Sequence, residues 1–341
     1  MKKIISALIA AFGLFAITSC AKDDGKTLYL ANWTYYAPAD VLKTFEEEFG
    51  VKVILEEYDS NETMYEKVSG GSYYDIVVPS QDFVALMIRN DELAPINQEI
   101  FTNKININPE VLAKATYDPE MIYAVPYYYG AAGISVNKTK CADYPRTWDI
   151  FADKRFAGHM SMLDDAREVM GDALAHLGFD ISSTDDTELA AAKELIMNQW
   201  KPNLVKFDAD SFGKEFSEGN FWVVQGYPEC VFGEVPEEKW GEIDYFIPEA
   251  GGPAYIDSMC ILKKSKHQEL ANQFINFMHR PEIYVQFLDY FKFPCKVNTQ
   301  VSDANRKNLL YPASLLDNTQ LKYDVGEGKQ KYNDIWDEIK F

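Results

Sequence analysis

Histidine and cysteine are few in this chain, and both are scattered. The 341 residues include four histidines (His159, His176, His267, His279) and five cysteines. No two cysteines stand in a C-x-x-C pair and the histidines form no ligand motif, so the spacing of a zinc site is absent. No Ser/His/Asp or Cys/His arrangement marks a nucleophilic centre. Basic residues are also short: 33 Lys and Arg stand against 53 Asp and Glu, a formal net charge of −20. Such a surface repels nucleic acid and anionic lipid and raises the local concentration of cations. Beyond the first twenty residues no run approaches the roughly 18 apolar residues of a membrane span. Internal repeats and low-complexity tracts are missing too. A cationic solute suits this composition better than an anionic one.

The long apolar run that does occur opens the chain. MKKIISALIAAFGLFAITSC has Lys2 and Lys3, an apolar stretch from Ile4 to Ile17, the small residues Thr18 and Ser19, and then Cys20. A cysteine directly after small residues resembles the bacterial lipobox. That resemblance implies a signal peptide over residues 1–19 and a diacylated Cys20, with residues 20–26 as a tether. The folded part is then periplasmic and lipid-anchored to a bacterial membrane, with acyl chains worth about 0.8 kcal/mol per buried CH₂. Loss of the signal removes no acidic residue and leaves 31 basic against 53 acidic. The remaining length exceeds what one core usually holds, so two lobes are expected. Cys141, Cys230, Cys260 and Cys295 allow three full disulfide pairings or free thiols, and their spacing does not choose.

Strand and helix signals alternate from Leu28 onward. Leu28–Asn32 reads as a strand, residues 39–49 as a helix stopped by Gly50, and Val51, Val53 and Leu55 as an alternating strand. A helix over residues 62–68, a buried strand over 74–78 closed by Pro79, and a helix over 83–89 follow. This order predicts an α/β lobe with a largely parallel sheet. The extended segments 123–129 and 133–136 bracket Gly130 and mark the first crossing between lobes. Residues 255–262 mark the return. Lobe 1 is expected to comprise residues 27–130 and 257–311, and lobe 2 residues 131–256 and 312–341. Repeated crossing makes a hinged cleft with the ligand at the interface.

Six stretches carry the chemistry: Asn32-Trp33-Thr34-Tyr35-Tyr36, Ser60 to Tyr65, Tyr74 to Ser80, Asp164 to Glu168, Tyr255 to Ser258, and Asp324-Val325-Gly326. In order and over nearly the whole chain, they resemble the spermidine/putrescine-binding proteins of bacterial polyamine importers. The resemblance implies a two-lobed, type II periplasmic-binding-protein fold of the Venus-flytrap kind that serves an ABC permease and its ATPase. A polyamine presents two or three ammonium groups on a thin alkyl chain. Each ammonium needs a carboxylate on leaving water, and aromatic faces suit both the methylenes and the cations. The family match assigns Asp165 and Glu168, three apart on a helical turn, to one amine. It adds Asp257 and Tyr255 from the second crossing, Trp33 and Tyr36 as an aromatic wall, and Thr34 and Ser80 at the cleft edge. Arg167 is expected to orient the neighbouring carboxylates and Asp164 to cap the helix.

The departures from the family pattern are specific. Tyr35 stands where the family has Glu, and Asp82 stands where an aromatic is usual, so Asp82 is expected to replace the lost carboxylate. Val224 takes the place of a family Trp, with Tyr227 a candidate for the missing ring. Phe293 replaces a Tyr. Lys322 replaces a Gln, and it either faces the ligand and repels a third ammonium or points into solvent. The first of these predicts that a diamine is held at least as well as spermidine. No catalytic residue, cofactor or metal is expected, and the partners are a polyamine, the importer, and the membrane only through the anchor. Two other readings use the same residues. Adjacent tyrosines (Tyr35-Tyr36, Tyr73-Tyr74, Tyr127 to Tyr129) suit an iron(III)-binding protein, and Asp165 with Glu168 suits an anchored glycoside hydrolase. An outer-surface adhesin is a third.

Overall fold

A computed structural model describes residues 25–34, 36–307 and 309–341. The signal peptide, Cys20, most of the tether and Tyr35 lie outside the described residues. The chain forms two α/β lobes, each built on its own sheet. The first lobe starts with the parallel strands β1 (Thr27–Trp33), β2 (Lys52–Tyr58) and β3 (Ile76–Val77), followed by β4 (Leu93–Ala94) and β5 (Ala124–Ala131). The second lobe holds β6 (Gly133–Asn137), β7 (Met160–Met162), β8 (Leu204–Phe207), β9 (Val223–Gly226) and β10 (Ile243–Phe246), in spatial order β10-β6-β9-β7-β8. The chain then returns through β11 (Pro253–Leu262), which joins the first sheet along with β12 (Gln320–Leu321), in order β12-β11-β3-β1-β2.

The first sheet is mixed where a largely parallel one was expected. β11 runs antiparallel to β3, β4 and β5. The reason is topological: β11 re-enters from the other lobe, without the crossover helix that makes successive strands parallel. The sheets also divide the chain differently from the expected segments, since β11 joins the first sheet from Pro253 and β12 adds Gln320 and Leu321 to it.

Local rules account for the elements around the cleft. The helix Ala39–Phe49 buries Val41 and Phe45 on one face and stops at Gly50, whose φ of 65° suits glycine. Pro281 opens the helix Pro281–Phe291 at the favoured first turn. β1 sends Leu28 and Leu30 to a core with Phe45, Phe274 and Phe277, and Ala31 to a second core with Met64, Val77, Val84 and Met87. A strand covered on both faces has near-continuous hydrophobicity, as β1 does. In the second lobe Trp148, Phe151 and Trp200 pack together, and the final helix Gly328–Lys340 adds Tyr332, Trp336 and Ile339 to that core. The chain therefore passes between lobes three times: after β5, after β10 and after β12. Cys141, Cys230, Cys260 and Cys295 are all free thiols.

Candidate functional site

Both sheets aim the carboxyl ends of parallel strands at the space between the lobes, where open α/β sheets bind ligands. Trp33 closes β1, and Ser80 follows β3 by way of Pro79. On the other side, Asp165 follows β7 and Tyr227 follows β9. β11 runs past all of them, buried over its full length.

Asp257 is only 2 % exposed and sits at a bulge in the β5–β11 pairing, between Asp257 and Ser258. A bulge re-aims a side chain out of the regular alternation. Ser80 bridges to it as a β-partner, and the Ser80 hydroxyl donates to its Oδ1 at 2.6 Å. Asn61 Nδ2 in turn donates to Ser80 Oγ at 3.1 Å, and the Ser80 N–H donates to Asn61 Oδ1 at 3.0 Å. Burial pushes the Asp257 carboxyl up to about 7, against the Ser80 hydrogen bond that favours the anion; Glu229 and Asp82 push it further the same way.

Two groups of aromatic residues form a layer beside this carboxylate. Trp33 leans on Tyr58 with centroids 5.0 Å apart, and its Nε1–H donates to Val78 O at 2.7 Å. Tyr36 and Tyr255 meet at their hydroxyls, 3.5 Å apart. Tyr227, from the second lobe, stands edge-on to Tyr255 at 5.7 Å. Phe293 is wholly buried, stacked on Tyr128 at 4.3 Å and in contact with Tyr36 in the first lobe's core. Thr34 is exposed, with its hydroxyl on Tyr58 O at 3.2 Å. Gly130 lies opposite Tyr255 on β5 because a Cβ there would come within 2.4 Å of the Tyr255 hydroxyl.

Across the cleft, the helix Ala166–His176 opens on Asp165. Asp165 Oδ1 accepts from the N–H groups of Arg167 at 2.8 Å and Glu168 at 3.1 Å, so Asp165, not Asp164, is the N-cap. The extended backbone at Asp165 places its side chain over the helix start. Asp164 instead takes Trp336 Nε1 and the Lys340 ammonium from the final helix. Arg167 also departs from expectation. It donates to Ser182 Oγ and Tyr323 O and lies over the Tyr332 ring, away from the carboxylates it was expected to orient. Consecutive helical residues point about 100° apart, which separates it from Glu168.

Glu168 is fully buried and faces inward. The Lys322 ammonium pairs with its Oε1, and the Tyr227 hydroxyl donates to the same oxygen at 3.1 Å. Burial raises the Glu168 carboxyl above its ordinary range, and Lys322 pulls it back. Burial would depress the Lys322 ammonium, but Glu168 and Asp165 outweigh it and hold the lysine above the usual range. Of the two orientations open for Lys322, the structure takes the inward one. Asp82 is partly buried in the first turn of the helix Gln81–Arg89, close enough to act on both Asp257 and Lys322.

Two acids were not singled out by sequence. Asp172, one turn beyond Glu168, is fully buried with neither oxygen hydrogen-bonded, and burial followed by the Glu168 charge raises it well above the carboxylate range. The i, i+4 spacing from Glu168 was the available signal. Glu229 is partly buried, two residues beyond Tyr227. Burial pushes it up to about 7, and the Tyr255 hydroxyl offsets part of that. Nothing local marks it, because its neighbours Tyr36, Tyr128, Tyr255 and Asp257 come from the other lobe.

A family model described as bacterial extracellular solute-binding protein matches residues 40–307. The chain is 32 % identical to the spermidine/putrescine-binding periplasmic protein of Escherichia coli (strain K12), covering 100 % of this chain and 99 % of that one. It is 32 % identical to a putrescine/cadaverine-binding protein of Pseudomonas aeruginosa, over 82 % of this chain and 80 % of that one. The crystal structure of the Tp0655 (TpPotD) lipoprotein of Treponema pallidum superposes with a TM-score of 0.89 at 45 % identity, covering 92 % of this chain and 99 % of that one.

Proposed function

Since the chain belongs to the bacterial extracellular solute-binding proteins, with their two-lobed α/β fold, we propose that it captures a polyamine, putrescine or spermidine, and presents it to an ABC importer. The observation that carries this reading is the convergence of Asp257 and Asp82 from one lobe with Asp165 and Glu229 from the other, beside Tyr36, Tyr227 and Tyr255. Among the described residues, none of these four carboxylates has a lysine or arginine on it. An alkyl diammonium supplies the missing countercharges, and its methylenes match the aromatic layer. Charge burial costs several kcal/mol per ion unless each is paired, so this site rejects neutral solutes. Contacts from both lobes to one ligand favour the closed form, the form a permease would read.

The protein does no covalent chemistry in this reading. Asp165 spends an oxygen on its helix and Glu168 is paired with Lys322, which argues against these two as the acid–nucleophile couple of a glycoside hydrolase. Three of the tyrosines considered for iron are engaged elsewhere: Tyr127 donates to Tyr36 O, Tyr128 bonds Tyr311, and Tyr73 donates to Asp75. No described helix is long and apolar enough to cross a membrane, and acylated Cys20 tethers the folded part outside the inner membrane. Native mass spectrometry of protein purified without added ligand tests the reading. A co-purifying diamine or triamine is expected. Absence of any amine, together with no heat on titration of putrescine or spermidine, would overturn it. Cys20→Ser is expected to move the protein from the membrane to the soluble fraction, and a variant still in the membrane fraction refutes the anchor.

A further inference from the structure

Glu168 differs from the other cleft carboxylates in carrying a cation from its own chain. Lys322 reaches it from just beyond β12, with its side chain 17 % exposed and that of Glu168 0 %. The lysine is held at its backbone on both sides. Its N–H donates to Ala254 O at 3.2 Å, and its carbonyl accepts from Gln81 Nε2 at 3.0 Å. Gln81 Oε1 in turn accepts from the Ile256 N–H at 2.9 Å. These bonds tie Lys322 to β11, between the residues that precede and follow Tyr255. The ammonium is therefore placed by the same strand that places Asp257, and it projects across the cleft onto the opposite lobe. The far oxygen of Glu168 is buried with no hydrogen-bond partner, as are both oxygens of Asp172 one turn further along. The acids acting on the Lys322 ammonium are Glu168, Asp165 and Asp82, and together they hold it in place.

From this arrangement we infer that Lys322 fills, from within the chain, the ammonium position at Glu168, so that the cleft is built for an alkyl dication and discriminates against a trication. The inference rests on the polyamine reading and deepens it. A diamine can pair its two ends with carboxylates that have no lysine or arginine on them. A triamine that extends toward Glu168 brings a third ammonium against Lys322, and like charges at that range in a buried site repel strongly. Lys322 is a specificity-determining residue here.

The test is titration calorimetry with putrescine and spermidine on the wild type, Lys322→Gln, Lys322→Arg and the double variant Lys322→Gln/Glu168→Gln. The wild type is expected to bind putrescine about tenfold or more tighter than spermidine. Lys322→Gln frees Glu168 and should shift the spermidine-to-putrescine affinity ratio toward spermidine by about tenfold. The double variant should lose that shift, because the freed carboxylate is gone. Lys322→Arg keeps the charge and should keep the diamine preference, so it decides the matter if an uncompensated Glu168 prevents Lys322→Gln from folding. A wild type that prefers spermidine, an unchanged ratio in folded Lys322→Gln, or a gain of spermidine affinity in Lys322→Arg each overturns the inference and leaves the polyamine reading standing. A wild type that binds neither amine overturns both.

Discussion

Replacing Asp257 by Asn separates binding from stability. The amide keeps the shape of the side chain and can still accept from Ser80, but it removes a charge that is 2 % exposed. Unpairing a buried ligand ammonium costs about 2–4 kcal/mol, which weakens binding roughly 30- to 1,000-fold. The effect must also depend on pH. The wild-type carboxyl titrates at about 7 in the ligand-free fold. The ligand's amines stay protonated, so binding has to ionise this group at a cost of about 1.4 kcal/mol per pH unit below its pKa. Between pH 8 and pH 6 the gap between wild type and variant should therefore narrow by about tenfold. Stability moves the opposite way. A carboxyl raised from 3.8 to about 7 on folding contributes stability that is present below the unfolded value and lost as pH rises through about 7. At pH 8 the ligand-free Asn variant should melt no lower than the wild type. Calorimetric titration at both pH values and thermal unfolding without ligand measure all three quantities. An affinity loss below about 0.5 kcal/mol, or an equal loss at both pH values, would remove Asp257 from the site.

Other substitutions probe the neighbours of Asp257. Glu229→Gln should weaken diamine binding on the same scale of about 2–4 kcal/mol, and unaltered affinity would place that acid off the ligand. Ser80→Ala removes the hydrogen bond that favours ionised Asp257; affinity should fall by about 1.5–3 kcal/mol, and the pH below which binding weakens should move upward. Gly130→Ala puts a methyl group against the Tyr255 hydroxyl at 2.4 Å. The ring must swing away, so affinity should drop while the variant remains folded, and unimpaired binding would mean that Tyr255 does not line the ligand.

Local sequence rules were enough for the elements. The apolar spacing of Val41 and Phe45, the stop at Gly50 and the proline at 281 act within one turn of chain, and the structure places helices there. The order of strands and helices, with a length too great for one core, likewise determined a two-lobed α/β protein. The acidic excess favoured a cationic solute over an anionic one without locating a site. What the residues of the cleft do to each other was decided by tertiary structure. Asp165 and Glu168 look like a matched pair at i, i+3, yet the first caps its helix and the second takes a lysine from 154 residues away. Lys322 had two orientations in sequence, and the choice between them depends on Gln81 and Ala254, which only the fold brings alongside it. Glu229 became visible only once β9 and β11 faced one another across the cleft. Periodicity reports which face of an element is buried, because burial is shared along that element. It does not report charge pairing, because the partner of a buried charge comes from whichever distant strand the topology brings opposite.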